Sequence, residues 1–228
     1  MLLNSMRCLP VACGLVAFFM TQSAQAQSSG FYASLFGGAS FTEDADLSVL
    51  VPTAPPALLS GEMKFGNGWI AGVAVGYGLD NGVAIEGEFS VIQNRLKQET
   101  LAFPAGATTI ALDGRLNTYA LMINGYYRFT SSSAFTPYVG VGIGTALMNI
   151  KAKPESDPNW FQDNDIEFAY QVIAGFSIAI NANTSVGAEY RFFDTATPSF
   201  TENVTVQFDN QSHNLLIKLT HKFGQHPQ

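Results

Sequence analysis

Between residues 30 and 223, apolar side chains alternate with small or polar ones in runs of about ten, the period of a strand whose two faces meet different surroundings. Eight such runs are legible: Gly30 to Phe41, Gly66 to Leu79, Gly82 to Ile92, Asn117 to Phe129, Phe135 to Ile150, Ile166 to Ile180, Thr184 to Phe193 and Gln207 to Phe223. The connections alternate in length. Gly78 to Gly82, Thr130 to Ala134 and Asn181 to Asn183 have the chemistry of short turns, whereas Thr42 to Phe65, Gln93 to Leu116, Lys151 to Asp165 and Asp194 to Val206 are long and polar or proline-bearing. The pattern predicts an all-β chain, an eight-stranded antiparallel up-and-down barrel with both ends on the short-turn side. Pro52, Pro55 and Pro56 fall in the first long connection, where they interrupt no sheet.

Each run has one greasy face. In the third, Val83, Ile85, Phe89 and Val91 oppose Ala84, Glu86, Glu88 and Ser90; in the eighth, Leu215, Ile217 and Leu219 oppose Asn214, Leu216, Lys218 and Thr220. Parity alone does not say which face is inside. Volume does, because eight strands enclose a lumen just wide enough for side chains. Trp69, Tyr77, Phe89, Tyr119, Tyr127, Tyr170 and Phe176 would overfill it, while Gly38, Gly140, Gly142, Gly144, Gly175 and Gly187 on the other parity suit a crowded interior. The apolar face therefore meets lipid. Trp69 and Tyr77, like Tyr119 and Tyr127, lie eight residues apart on that face. At about 3.3 Å per residue and a tilt of roughly 40° this spans about 20 Å, which approximates two interfacial aromatic girdles.

Composition narrows the partners. With 11 Lys+Arg against 18 Asp+Glu the net charge is -7, which argues against nucleic acid. Both cysteines, Cys8 and Cys13, fall near the start, so the body of the chain holds no disulfide or thiolate metal site. Residues 1–26 read as a secretory signal, with Arg7 before an apolar core and Ala24-Gln25-Ala26 as a small-x-small cleavage pattern. An uncleaved helix needs roughly 20 apolar residues, more than this core supplies. Residues 27–228 form the barrel domain, and past residue 26 no apolar run is long enough for a membrane helix.

The runs Phe135-Thr-Pro-Tyr-Val-Gly-Val-Gly-Ile-Gly144, Ala169-Tyr-Gln-Val-Ile-Ala-Gly175, Gly187-Ala-Glu-Tyr-Arg-Phe192 and His213-Asn-Leu-Leu-Ile-Lys-Leu-Thr-His-Lys-Phe223 resemble the strand motifs of OmpA-like, opacity-type outer-membrane barrels and related bacterial surface antigens. The resemblance covers essentially all of the chain after the signal. It implies a Gram-negative outer-membrane location with periplasmic termini and external long loops, contact with outer-membrane lipid and lipopolysaccharide, and delivery by the barrel-assembly machinery. That machinery reads a terminal aromatic in the family; here Phe223 is the assembly signal, followed by Gly224 to Gln228.

Candidate chemistry falls in three places. Glu86, Glu88, Arg128, Glu189, Arg191, Lys218 and Lys222 share the lumen parity and predict a paired network that plugs the barrel, since buried charges persist only when paired. The alternative is a narrow ion path, a small passive channel. Asp163, Asp165 and Glu167 form an acidic segment in the third loop whose oxygens could ligate a divalent ion; the glycine and spacing of a calcium loop are missing, so it reads as a solvated loop, and no metal or other cofactor is expected. The loops supply the remaining surface, with Leu47 to Leu59 unusually apolar, Leu50 and Val51 at its centre, and Trp160-Phe161 in loop three.

Catalysis of the lipid A-modifying kind requires a nucleophile and base on one face. Ser212 and His213 are sequential and so face opposite sides, and no set of nucleophile, base and orienting group can be assembled. The sequence thus predicts a monomeric, non-enzymatic surface protein, an adhesin or antigen meeting a host or matrix protein through its long loops. Its rivals are the channel, the lipid A enzyme and a soluble ligand-carrying barrel.

Overall fold

The computed structural model describes residues 29–51, 57–103, 106–129, 134–154, 161–196, 199–201, 205–208 and 210–223. Within these, residues 45–51, 57–60, 62, 97–103, 106–113, 152–154, 161–163, 199–201 and 205–208 are described by backbone alone. Residues 1–26, expected as a secretory signal, and Pro52, Pro55, Pro56, Trp160 and residues 224–228 lie outside the described residues.

Eleven strands are present among the described residues: β1 Gly30–Thr42, β2 Ala45–Val51, β3 Ala57–Gly78, β4 Val83–Phe103, β5 Gly106–Arg128, β6 Phe135–Pro154, β7 Phe161–Ala179, β8 Thr184–Thr195, β9 Ser199–Thr201, β10 Thr205–Phe208 and β11 Gln211–Lys222. Eight of them close on themselves. β1 pairs with both β11 and β3, and the order β11-β8-β7-β6-β5-β4-β3 completes an antiparallel meander. Closure leaves no unpaired edge, the condition for a sheet to cross hydrocarbon. At one end the turns are tight: the Leu79 amide donates to the Val83 carbonyl at 2.8 Å, with Gly82 at φ 86° where a side chain would be strained. Between β7 and β8, Asn181 Oδ1 accepts from the Asn183 and Thr184 amides at 3.0 and 2.8 Å.

The other end departs from expectation. Gln93 to Leu116, expected as a loop, is a continued ladder: β4 and β5 stay paired up to Phe103 opposite Gly106. β3 likewise begins at Ala57 rather than Gly66, and β7 at Phe161 rather than Ile166. The cause is backbone arithmetic, since a long excursion in a compact fold satisfies its amides most economically by pairing with itself. Past the membrane band the faces need not alternate, so the period that reveals a strand disappears although the strand continues. The expected eighth strand is also split: Thr205–Phe208 leaves the barrel to pair with β2, and β11 resumes at Gln211 against β8. Register shifts between Lys64 and Phe65 and between Gly66 and Trp69 on β3, and between Leu96 and Gln98 on β4, mark where the sheet leaves the barrel wall.

The two faces sort as the volume limit requires. Outward stand Leu35, Val73, Ile85, Phe89, Leu121, Ile123, Val141, Ile143, Leu215 and Ile217, all exposed in the isolated chain. An apolar surface of that extent is stable only against lipid. Inward the lumen is filled. Tyr32, Ala84, Tyr126, Tyr138 and Ile173 form an apolar cluster toward the short-turn end, and Phe36, Ile70, Ile92, Ala120, Met122, Ala146, Ala169, Phe193 and Leu216 form a larger one above it. Inward glycines make this filling fit: a Cβ on Gly142 would strike Asn124 and Gln171, and one on Gly140 would meet the Tyr126 ring.

Candidate functional site: the lumen network and the barrel rim

Alternation on β4, β8 and β11 turns Glu86, Glu88, Glu189, Arg191 and Lys218 into one volume, where all are buried. Arg191 Nη1 donates to Glu88 Oε1 and Arg191 Nη2 to Glu189 Oε1, each at 2.5 Å. Lys218 Nζ donates to both oxygens of Glu86 at 2.9 and 3.0 Å and stands 3.9 Å from Glu189 Oε2. Three carboxylates thus share two cations.

Neutral donors complete the set. Tyr126 and Tyr138 donate their hydroxyls to Glu86 at 3.0 Å and Glu189 at 3.1 Å. Asn124 donates to Glu88 at 2.9 Å and accepts from Gln171 at 2.7 Å. Arg191 also lies over the Phe36 ring at 4.8 Å and Lys218 over Tyr126 at the same distance. Such saturation is what allows buried ions to persist. Tyr126, Tyr138, Asn124 and Gln171 were legible as members only by their inward parity, a signal that charge-based reasoning passes over.

Arg128 and Lys222 do not join this cluster. Arg128 caps the Tyr32 ring at 4.9 Å, and Lys222 pairs across the ladder with Tyr32, both half-buried at the short-turn mouth.

The aromatic residues form two belts. At the short-turn end Phe31 packs edge-on to Tyr77 at 4.9 Å, Tyr127 to Phe129 at 5.2 Å, and Phe135 tilts against Phe176 at 5.1 Å. Phe223 stands there too, exposed, with its amide bonded to the Phe31 carbonyl at 2.8 Å. At the other end Trp69, Tyr119 and Tyr170 face outward, and Tyr170 donates to Asp194 at 2.6 Å. Here His213 bridges two elements: its Nδ1 shares a hydrogen bond with the Tyr190 hydroxyl at 2.6 Å, and its Nε2 meets Glu43 at 2.7 Å. Ser212 points into the barrel, away from His213, and donates nothing to it.

The acidic segment lies on β7 rather than in a loop, with Asp163, Asp165 and Glu167 opposite Ile150, Met148 and Ala146. Ladder pairing of β6 with β7 is the reason, and it spaces the three residues along one strand parity instead of gathering them. Among the described residues no group of three acidic, histidine or cysteine side chains is arranged to hold a metal ion. The side chains of Leu50, Val51, Phe161 and Asp163 lie outside those described; Leu50 and Val51 are on β2, opposite Leu58 and Ala57.

Residues 11–223 match the family described as outer membrane protein beta-barrel domain. The chain is 33% identical over 95 residues to the outer membrane protein PagN of Salmonella typhimurium, an alignment covering 39% of this chain and 38% of that protein, so it spans well under half of the curated relative it matches. Among solved structures it resembles Neisserial surface protein A, at 16% identity with a TM-score of 0.50, covering 86% of this chain and all of that one. It also resembles OprG of Pseudomonas aeruginosa, at 11% and 0.54 over 90% and 100%, and the outer membrane protease OmpT of Escherichia coli, at 10% and 0.53 over 89% and 99%. At these identities the structural matches establish the fold alone.

Proposed function

The chain belongs to the outer-membrane β-barrel family and is therefore a protein of the bacterial outer membrane, and from that premise we propose that it is a non-enzymatic surface protein, an adhesin or antigen, whose working surface is the long-hairpin end. The observation that carries this reading is the lumen: a saturated ionic network with apolar clusters on either side leaves no aqueous route through the wall. What remains for recognition is the hairpin end, where β2, β9 and β10 extend the sheet beyond the barrel. In this reading the short turns and both termini are periplasmic, Phe223 serves barrel assembly, and the molecule acts as a monomer in lipopolysaccharide-bearing membrane. The partial likeness to the outer membrane protein PagN supports the membrane location from which the long hairpins would meet a host or matrix protein.

The test is surface expression in a Gram-negative host, with adhesion to cultured cells or matrix measured for the intact chain and for a deletion of residues 47–59. Adhesion above the empty-vector level, lost on deletion, supports the reading. Equal adhesion in both removes loop one from it, and no adhesion in either removes the adhesin role. Protease treatment of intact cells reports orientation separately, with cleavage expected in the long hairpins only.

A further inference from the structure

The barrel closes where β1 meets β11, and the inward residues at the hairpin end of this seam are neutral and polar. Ser40 stands opposite Asn214 on β11 and opposite Gly68 on β3, and Thr42 stands opposite Ser212. Gly68 has no side chain, and Asn94 of β4 reaches into the space this leaves: its Oδ1 occupies the place a Cβ on residue 68 would take. Asn94 Nδ2 donates to Thr42 Oγ1 at 2.5 Å, and Asn214 Nδ2 donates to Ser212 Oγ at 3.2 Å and to the Arg191 carbonyl at 3.5 Å. Both amide nitrogens are thereby engaged. The two amide oxygens and Ser40 Oγ find no hydrogen-bond partner among the described residues, although Ser40, Asn94 and Asn214 are all buried.

A buried oxygen without a partner is costly, so three bordering one volume call for an occupant. Neighbouring positions on one face of a sheet keep their Cβ atoms about 5 Å apart, which brings the three oxygens within reach of one small ion. Ligand chemistry specifies it. These atoms, and the Thr42 and Ser212 hydroxyls beside them, are neutral oxygens, whereas softer metals take nitrogen or sulfur and calcium sites are built on carboxylates. Neutral oxygens alone suit an alkali cation, as rings of carbonyl oxygens do. The charge nearby agrees in sign. In the lumen network three carboxylates, Glu86, Glu88 and Glu189, face two cations, Arg191 and Lys218, which leaves one negative charge over. Arg191, opposite Asn214 on the ladder, directs its guanidinium to Glu88 and Glu189.

We propose that Ser40 Oγ, Asn94 Oδ1 and Asn214 Oδ1 bind one dehydrated alkali cation, sodium or potassium, with the Thr42 and Ser212 hydroxyls completing its shell. The ion joins β4 to the β1–β11 seam across the bare Gly68 of β3, and so fastens the closure of the barrel at the end where the wall gives way to hairpins. Its ligands carry no charge, and no acidic, histidine or cysteine cluster marks the place among the described residues. Because the site exists only when the first and last strands have met, the ion binds the folded chain alone and stabilises it by mass action.

The experiment follows urea unfolding of the full chain in nonionic micelles, in sodium, potassium or N-methylglucamine chloride at one ionic strength. At roughly 200 mM, sodium or potassium should lower the unfolding equilibrium constant about tenfold relative to N-methylglucamine, and the effect should saturate. Asn94→Leu/Asn214→Leu, which removes both amide oxygens at nearly constant volume, should unfold alike in all three salts. Thallium(I), a potassium mimic, supplied to crystals of the intact chain should give an anomalous peak between Ser40, Asn94 and Asn214. Intact protein that unfolds alike in all three salts overturns the proposal without any variant. So does a folded double variant that keeps the salt preference, and so does a map with ordered water and no thallium between the three residues, which would make this a water site only.

Discussion

Arg191 and Glu88 lie 103 residues apart in sequence and meet at 2.5 Å inside the barrel, both side chains fully excluded from solvent. Their ion pair ties β8 to β4 across the lumen, strands that no ladder joins. Because Arg191 also serves Glu189, its removal strands two carboxylates rather than one.

Arg191→Met should therefore cost about 3–5 kcal/mol, the range for leaving a buried charge uncompensated. Urea unfolding in micelles measures it. Adding Glu88→Gln and Glu189→Gln to the same chain should restore most of the loss, and a triple variant no more stable than Arg191→Met would count against the network as the origin of the effect.

The intact chain should carry no steady current in a planar bilayer. The seal has two materials, ionic and apolar, so truncating either alone, through Glu86→Ala/Lys218→Ala or through Phe36→Ala/Phe193→Ala, should leave the bilayer silent, whereas the four changes together should give discrete openings. Current from the intact protein would contradict the filled lumen.

Glycine substitutions should separate the two faces. Gly142→Ala pushes a methyl into Asn124 and Gln171 and should destabilise by about 1–3 kcal/mol through overpacking. Gly125→Ala, with nothing within 4 Å of the added carbon, should be tolerated within about 0.5 kcal/mol. Unfolding midpoints of the two variants, compared under one set of conditions, check the contrast.

His213 clips Glu43 to Tyr190 at a rim that water reaches, so His213→Ala should shift global stability by less than about 1 kcal/mol. Its effect should be local, seen as faster hydrogen exchange at the Glu43 amide, which donates to the Gln211 carbonyl at 3.0 Å. Unchanged exchange there would mean the clip does not hold the β1–β2 junction.

How much of this was readable beforehand depends on which solvent a residue faces. Within the membrane band, lipid and lumen force a strict two-residue period, so Phe89 outside and Glu88 inside are evident from the chain alone. Past Leu96 water touches both faces, the period loses its cause, and the extended β4–β5 ladder was invisible. Charge singled out Glu86, Glu88, Glu189, Arg191 and Lys218 but also grouped Arg128 and Lys222 with them, because parity conveys which face a residue occupies and not how high it stands. The pocket of Ser40, Asn94 and Asn214 needed the registers of both ladders on β1 and the irregular stretch of β3 that brings Asn94 over Gly68, which the sequence does not announce.

One feature of the hairpin end constrains how its surface can vary. Leu47 to Leu50 on β2 is paired with Thr205 to Phe208 on β10, so segments from near the two ends of the chain are hydrogen-bonded into a single patch. A host antibody that recognised this patch would read residues encoded almost five hundred nucleotides apart, roughly three per codon over the separation in the ladder. Escape by altering one segment would have to preserve its fit to the other, and the two would be expected to change together among descendants.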